Sequence, residues 1–375
     1  MMSLPSKKIR RILLFAIIVS GFAFSPIENG VKQKTEIVLC LDLSASTNGL
    51  LHDIRDHLWQ FINKARKDFP QTDLRIGVVA FARPSFGAEN HYVKVLCDIT
   101  GDYDLLSYYL FLLKANIEKG DQCDGSALYA ALKDLHWSKD AATKKMIYLF
   151  GNSNPKMCGY DHLKACETAA KENIPVHAVY CTFGAVSVKY LPVWQHISET
   201  TGGDFYTFQI TGRTPLKKFS RDALLLAELN NNLLDTYLPF TREGKLHFDL
   251  MVAADENSKK MNEQFFYERC SYKFSSYFED QCRQWDLVTL LKTTSLDPGK
   301  LSRHYLPQEF QNTTPKELEE IARIKIKRRE FLKKKMLQVL LNSDIDNIQP
   351  HPIDTILLGG LDKKTNYVVS KFDQK

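Results

Sequence analysis

The segment of residues 37–46, Ile-Val-Leu-Cys-Leu-Asp-Leu-Ser-Ala-Ser, constrains the fold more than any other part of the chain. Its first half is uninterrupted apolar sequence, which is typical of a strand buried on both faces of a parallel sheet. The apolar run stops at Asp42, and Ser44 and Ser46 follow before a turn at Gly49. Open α/β sheets bind ligands outside the carboxyl ends of their strands. The segment therefore predicts an α/β protein with a site at the end of this strand.

The polar side chains that end this segment offer one carboxylate and two hydroxyl groups. Oxygen donors of this kind suit a hard cation such as Mg²⁺, Mn²⁺ or Ca²⁺ rather than zinc. Asp and Ser are also frequent N-cap and turn residues, so this pattern alone fits an ordinary turn equally well. Two later loops of the chain favour the cation site.

A buried strand that ends in Asp-x-Ser-x-Ser resembles the metal-ion-dependent adhesion site of von Willebrand factor type A (VWA) domains. In that family a first loop supplies an Asp and two Ser, a second loop a Thr, and a third loop an Asp. Residues 124–129, Asp-Gly-Ser-Ala-Leu-Tyr, match the second loop and place Ser126 at the Thr position. Residues 144–152 match the third loop, with Asn152 where the family has Asp. The resemblance thus implies a metal site made of Asp42, Ser44, Ser46, Ser126 and Asn152.

Asn152 removes one negative charge from the implied site. Because ligand charge tunes cation affinity in oxygen sites, the resemblance implies that Mg²⁺, Mn²⁺ or Ca²⁺ is bound weakly. A coordination position left open on the cation would accept an acidic side chain of a partner protein. Asp121 and Asp124 lie close to Ser126 in the sequence, and we expect them at the rim of the site.

Further segments resemble a bacterial exported subfamily of VWA proteins, in which the third loop carries Gly-Asn rather than Thr-Asp-Gly. The matching segments are Gly151-Asn152 with Pro155, residues 165–166, residues 174–181, residues 237–240, residues 285–288, Leu306-Pro-x-Glu309 and Thr314-Pro-x-Glu317. This resemblance covers most of the chain but implies no assigned biochemical role. Only the first-loop motif is specific enough to carry chemistry.

Residues 1–25 have the three parts of a secretion signal. Four Lys or Arg residues precede an apolar run that is too short to span a bilayer comfortably, and small residues follow it. We expect a mature chain that begins between Phe24 and Glu28 and is periplasmic, held in the cell envelope or secreted. The alternative is an uncleaved signal anchor, and membrane contact is expected only in that case.

The charge and the missing motifs exclude several function classes. The chain of 375 residues has a formal net charge of +6, of which the signal segment supplies four positive charges. The near-neutral remainder gives no global case for nucleic-acid binding. The chain lacks the common phosphate-binding glycine motifs, the G-x-S-x-G elbow and the H-E-x-x-H zinc pair. With no general base placed beside the predicted cation, no enzymatic activity is predicted.

Residues 31–212 alternate between strand and helix patterns, which predicts a doubly wound, mostly parallel six-stranded sheet. The first predicted helix carries Asp53, Asp56 and His57, which we expect on a solvated face. Cys40 falls in a predicted buried strand, where a thiol is usually a small apolar filler. The eight cysteines are compatible with disulfides in an exported protein, and their spacing selects no pairing.

Residues 213–345 form a predicted helical region, with candidate helices at residues 216–238, 264–292 and 314–341. An aromatic-rich stretch in the second candidate is expected to pack on the other helices. Prolines and paired glycines after it predict an irregular tail at residues 346–375.

The third candidate helix follows a capping box, Thr314-Pro-Lys-Glu317. We expect Ile321, Ile324, Phe331 and either Leu337 or Met336 to form its packing stripe. Its many Lys and Arg residues are expected to face water, with binding to acidic surfaces as the alternative.

The favoured function is a non-enzymatic exported module that binds a protein partner through a degenerate divalent-metal site. One alternative is a metal-independent envelope scaffold that binds through its helical region. The other is a membrane protein held by its signal anchor.

Overall fold

The computed structural model describes residues 32–152, 154, 159–182, 189–212, 218–294, 302–343 and 351–362. The predicted signal of residues 1–25 lies outside these residues. Among the helices that the structure describes, none is both long and apolar enough to cross a membrane.

Six strands form a single sheet. They are β1 (Gln33–Asp42), β2 (Thr72–Phe81), β3 (Val93–Thr100), β4 (Lys144–Gly151), β5 (Val176–Thr182) and β6 (Phe205–Gln209). The order is β3-β2-β1-β4-β5-β6, and every pair is parallel except β2 with β3. β1 lies at the centre, and its last eight residues are buried. The predicted doubly wound, mostly parallel sheet is confirmed.

Five helices cover the two faces of this sheet. They are α1 (Leu50–Asp68), α2 (Tyr103–Leu112), α3 (Asp124–Lys133), α4 (His162–Lys171) and α5 (Leu191–Thr201). Alternate residues of β1 contribute to two different cores, since Leu39 packs with α1 and α2 whereas Val38 packs with α3, α4 and α5. The apolar run that predicted β1 therefore reflects burial on both faces of the strand.

The helical region contains α6 (Arg221–Leu234), α7 (Arg242–Met261), α8 (Glu263–Tyr272), α9 (Ser276–Cys282), α10 (Leu287–Thr293) and α11 (Pro315–Asn342). The prediction of one helix over residues 264–292 was wrong, and α7 was not predicted. Asn262, Ser275 and Asp286 each accept a hydrogen bond from a backbone N–H of the following turn and so begin α8, α9 and α10. N-caps of this kind divide a sequence whose apolar pattern alone shows no break.

The aromatic residues of α8 and α9 pack on the sheet domain as well as on other helices. The Tyr272 ring stacks on Trp59 with centroids 5.0 Å apart, and the Tyr277 ring stacks on Tyr103 at 5.3 Å. One hydrophobic cluster joins these residues to β1 and β4. The predicted boundary at residue 212 thus marks a change of pattern between two regions that share a core.

Residues 352–361 correct the predicted irregular tail, because they form α12 (Pro352–Leu361). Pro352 occupies the first turn, and His351 and Asp354 form a capping box, so the proline begins the helix instead of breaking it. Buried Ile353 and Leu357 face the core, and the Tyr148 hydroxyl donates to the Leu357 carbonyl at 3.2 Å. α12 therefore completes the layer of helices beside α1 and β6.

α11 confirms the predicted capping box between Thr314 and Glu317. The predicted packing stripe was wrong at Ile324 and Phe331, which are 55% and 57% exposed, whereas Met336 is buried as predicted and Ile321 packs on an apolar cluster. The residues of α11 that are buried are Leu318, Ala322, Arg329, Leu332, Met336, Val339 and Leu340. Arg329 does not face water as predicted, since its Nη1 lies 2.8 Å from the buried Asp286 carboxylate. Because a paired arginine occupies one position of the buried stripe, the spacing of apolar residues alone does not locate the stripe.

Candidate metal site

The loops after β1 and β4 meet at one edge of the sheet because these two strands are parallel neighbours. The Ser46 hydroxyl donates to Asn152 Oδ1 at 2.9 Å, and Asn152 Nδ2 donates to the Ser46 carbonyl at 2.9 Å. The predicted first and third loops are therefore joined directly.

Hydrogen bonds within the first loop hold Asp42 beneath the two serines. The Ser44 N–H donates to Asp42 Oδ1 at 2.8 Å, and the hydroxyls of Ser44 and Ser46 lie 2.9 Å apart. Thr47 donates its hydroxyl proton to the Asp42 carbonyl at 2.7 Å. Four of the five predicted ligands, Asp42, Ser44, Ser46 and Asn152, are thus neighbours.

Gln122 is a member of this cluster that the sequence reasoning missed. Its Nε2 donates to the Ser44 hydroxyl at 3.1 Å and to the Ser46 hydroxyl at 3.0 Å. Rotating the amide by 180° would present Oε1 instead, because a side-chain amide carries both a donor and an acceptor. The only sequence signal was its place in the second loop, where a hydroxyl residue was expected.

Ser126 lies in the first turn of α3, where its hydroxyl accepts a hydrogen bond from the Tyr160 N–H at 3.3 Å. It lines a cavity of about 520 Å³ together with His91, Tyr129 and Tyr160. A Cβ on Gly125 would collide with the backbone of the segment around Tyr160, so a glycine here permits the close contact. Ser126 thus lines this cavity in the described structure. Its role as a cation ligand stays a prediction.

Asp42 and Asp124 are both completely buried. Burial raises the pKa of Asp42 to about 6, and burial together with the nearby Asp42 charge raises the pKa of Asp124 to about 8. Oδ2 of Asp42 and both carboxyl oxygens of Asp124 have no hydrogen-bond partner among the described residues. Buried carboxylate oxygens without compensating donors are costly. Asp42 keeps one donor, the Ser44 N–H, whereas Asp124 requires a proton or a nearby cation.

The donor set fits a hard divalent cation. It combines the unpartnered oxygen of Asp42 with the hydroxyls of Ser44 and Ser46 and the amide groups of Gln122 and Asn152. No group of three or more His, Cys, Asp or Glu side chains in the described part of the chain is placed to hold a metal. A cation at this edge would therefore depend on one or two carboxylates and several neutral oxygens, which suits weak binding.

The prediction that Asp53 and Asp56 lie on a solvated face was wrong, because both side chains are buried. Asp53 accepts hydrogen bonds from the N–H of Thr211 at 2.9 Å and from its hydroxyl at 2.6 Å. The start of α1 is thereby tied to the segment after β6, which supports the neighbouring first loop.

The raised pKa of Asp124 predicts a pH dependence of stability in protein freed of cations. A carboxyl group whose pKa is higher in the folded state stabilises fully below its unfolded pKa, and that contribution is lost as the pH rises through about 8. We expect the melting temperature in chelator to fall between pH about 6 and about 8, and Asp124→Asn to flatten this fall. Calorimetric melting of both proteins measures it, and equally steep curves would contradict the assignment.

The strand order, the antiparallel edge strand β3 and the polar loops at the carboxyl edge define a VWA-like α/β protein with added helices. No family model matches the chain, and a search of curated proteins finds no match. Similar solved structures include BatB from Bacteroides thetaiotaomicron, at 15% identity and a TM-score of 0.37, covering 47% of this chain and 91% of that one.

The SpRpn10 VWA domain matches at 15% identity and a TM-score of 0.35, with 48% of this chain and 90% of that chain covered. An aerotolerance-related membrane protein from Bacteroides fragilis NCTC 9343 matches at 15% identity and a TM-score of 0.33, over 47% and 90%. At TM-scores below 0.5, these likenesses add nothing to the architecture that the strand order already defines.

Proposed function

We propose that the chain is an exported, non-enzymatic protein that binds a protein partner through a divalent cation at the edge of the sheet. The cation would be held by Asp42, Ser44, Ser46, Gln122 and Asn152. The observation that carries this proposal is the pair of fully buried carboxyl groups, Asp42 and Asp124, whose free oxygens lack partners.

The position of the site supports a role in recognition. Ser46 is exposed and Asn152 is half-buried, whereas Asp42 lies beneath them. When bound, a divalent cation would carry two positive charges, and the Asp42 carboxylate would cancel only one of them, because burial raises the pKa of Asp124 to about 8 and keeps that carboxyl group protonated. Such a site attracts a carboxylate from outside, so an acidic side chain of a partner is the chemistry that fits it.

Weak binding of the cation alone follows from the same charge count. A partner carboxylate and the cation would each strengthen binding of the other by the same factor. Occupancy is therefore low without the partner and higher with it, which makes recognition depend on both.

A disulfide at Cys123 supports the proposed export. Cys123 is disulfide-bonded and immediately precedes α3, and such bonds persist in oxidising compartments outside the cytosol. Mass spectrometry of the protein from its host should find a mature N-terminus between Phe24 and Glu28. An intact N-terminus in a cytosolic fraction would contradict export.

Affinity capture from an envelope extract tests metal-dependent recognition. We expect a partner to be retained in Mg²⁺ and released by chelator, and Asp42→Ala to retain none. Asp140→Ala, which removes an exposed carboxylate from the sheet domain, is the matched control and should behave like the parent. Retention that is unaffected by both chelator and Asp42→Ala would overturn the proposal.

One observation favours the metal-independent alternative. Gln122 donates to both serines and thereby closes the cluster without a cation. In that case the partner would bind elsewhere, with the helical region as the surface. This alternative predicts that the partner is captured equally well with and without chelator.

A further inference from the structure

The outer face of α11 is both basic and apolar. Ile324 and Phe331 project from it and are 55% and 57% exposed. Single exposed apolar side chains are ordinary on a protein surface. The case for a contact on this face therefore depends on the cations that surround these side chains.

Helical geometry places the exposed apolar residues and several cations on one side. Residues spaced by three, four or seven positions share a helix face. The members of this outer face are Ile324, Lys327, Arg328, Phe331, Lys334 and Lys335. The opposite side, which includes Leu318, Leu332 and Met336, is buried against the other helices. α11 is thus packed along one side and open along the other.

The cations of the outer face are not neutralised within the described part of the chain. Lys327 and Lys334 form no ion pair there, and Lys335 Nζ lies 4.6 Å from the centre of the Phe331 ring. Arg328 reaches only the neutral Asn232 Oδ1 at 3.4 Å. Glu320, two turns before Lys327, interacts with it electrostatically but pairs with Arg323, and Glu330 lies 3.6 Å from Lys292 on another helix.

Other cations of α11 contrast with these. Arg329 is paired with Asp286, Arg323 is paired with Glu320, and Lys325 donates to the Asp235 carbonyl at 2.6 Å. Internal partners thus account for these three cations. The four cations of the outer face form no ion pair within the described part of the chain.

We propose that the outer face of α11 binds the surface of an anionic lipid bilayer. Lys327, Arg328, Lys334 and Lys335 would contact the head groups, and the side chains of Ile324 and Phe331 would enter the interface. Interfacial helices combine these two features. A nucleic-acid backbone would satisfy the cations but offers nothing to exposed Ile324 and Phe331. This proposal is independent of the cation site and of whether the signal is cleaved.

Vesicle sedimentation with the full-length chain tests the proposal. One set of vesicles contains phosphatidylcholine with phosphatidylglycerol, and the other contains phosphatidylcholine alone. We expect tighter binding to the anionic vesicles and a decline with added salt. Binding that is equal on both vesicle types would overturn the proposal.

Two triple variants isolate the helix from the rest of the chain. Each cation near an anionic surface strengthens binding about fivefold, so Lys327→Gln, Lys334→Gln and Lys335→Gln together should weaken it about 100-fold. The control combines Lys119→Gln, Lys139→Gln and Lys164→Gln, which remove the same charge from exposed positions of the sheet domain. If both triple variants bind alike, α11 is not the contact.

Removing an exposed apolar side chain distinguishes binding to a bilayer from binding to other polyanions, because only a bilayer offers an apolar interior. Phe331→Ser should weaken binding to anionic vesicles several-fold, whereas Leu163→Ser, at another exposed apolar position, should not. Circular dichroism checks that each variant is folded. Tighter binding to duplex DNA than to anionic vesicles, with no effect of Phe331→Ser, would assign the face to nucleic acid instead.

Discussion

Asp255→Ala is expected to lower the free energy of unfolding by about 3–5 kcal/mol, because it leaves buried Lys273 without a carboxylate and buried Arg269 with only Asp104. Arg269 Nε and Lys273 Nζ each lie 2.7 Å from an oxygen of the Asp255 carboxylate. All three side chains are completely buried. Asn230 Nδ2 donates a further hydrogen bond to the same carboxylate at 2.9 Å.

The substitution should destabilise both regions of the molecule, since this cluster of buried charges joins the helical region to the sheet domain. Arg269 lies 2.6 Å from the Asp104 carboxylate of α2, and its guanidinium lies 4.5 Å from the Trp59 ring of α1. The two cations hold the pKa of Asp255 at about 2. Its stabilising contribution is therefore complete above its unfolded pKa and is lost as the pH falls toward about 2.

Urea unfolding of Asp255→Ala measures the loss. Asp249→Ala is the matched control on the same helix, where an exposed carboxylate pairs with exposed Lys245. The control should change stability by less than about 1 kcal/mol. A loss of that small size in Asp255→Ala would show that the buried cluster does not hold the two regions together.

The second large effect concerns the candidate metal site. Asp42→Ala removes the one carboxylate among the predicted ligands and should abolish cation binding. Asn152→Asp adds a carboxylate beside Ser46 and should strengthen binding at least about tenfold, since ligand charge sets affinity in oxygen sites. The two changes act on opposite sides of the same cluster. A structural loop without a cation predicts no gain from Asn152→Asp.

Gln122→Ala gives an independent reading of the same cluster. If the amide serves as a ligand, its loss weakens cation binding. If the amide only closes the loop in place of a cation, its loss leaves the two serine hydroxyls free and does not weaken binding. The direction in which cation affinity changes therefore shows whether the Gln122 amide binds the cation or takes its place.

The sequence predicted the sheet well because burial on both faces leaves a direct trace in β1 and β4. It also predicted that the loops after β1 and β4 meet, as Ser46 and Asn152 do, since the ends of parallel strands share an edge. The place of Gln122 left no such trace. That the Gln122 amide lies beside the serine hydroxyls is known only from the structure, where the second loop packs next to Ser44.

The misread parts of the helical region share a physical cause. Arg329 and Asp255 are charged residues inside a core, and their burial depends on partners distant in sequence. Pattern reasoning assigns such residues to water, which moved the predicted face of α11 to Ile324 and Phe331. Pro352 was likewise read as a breaker, although His351 makes it the start of a helix.

A calorimetric titration of Mg²⁺ into the purified protein tests the central claim most directly. The account predicts weak binding by the parent, none by Asp42→Ala and tighter binding by Asn152→Asp. Mn²⁺ and Ca²⁺ titrations extend the comparison to the other hard cations. If Asn152→Asp binds no cation more tightly than the parent does, the polar loops at the edge of the sheet are structural and the cation site is contradicted.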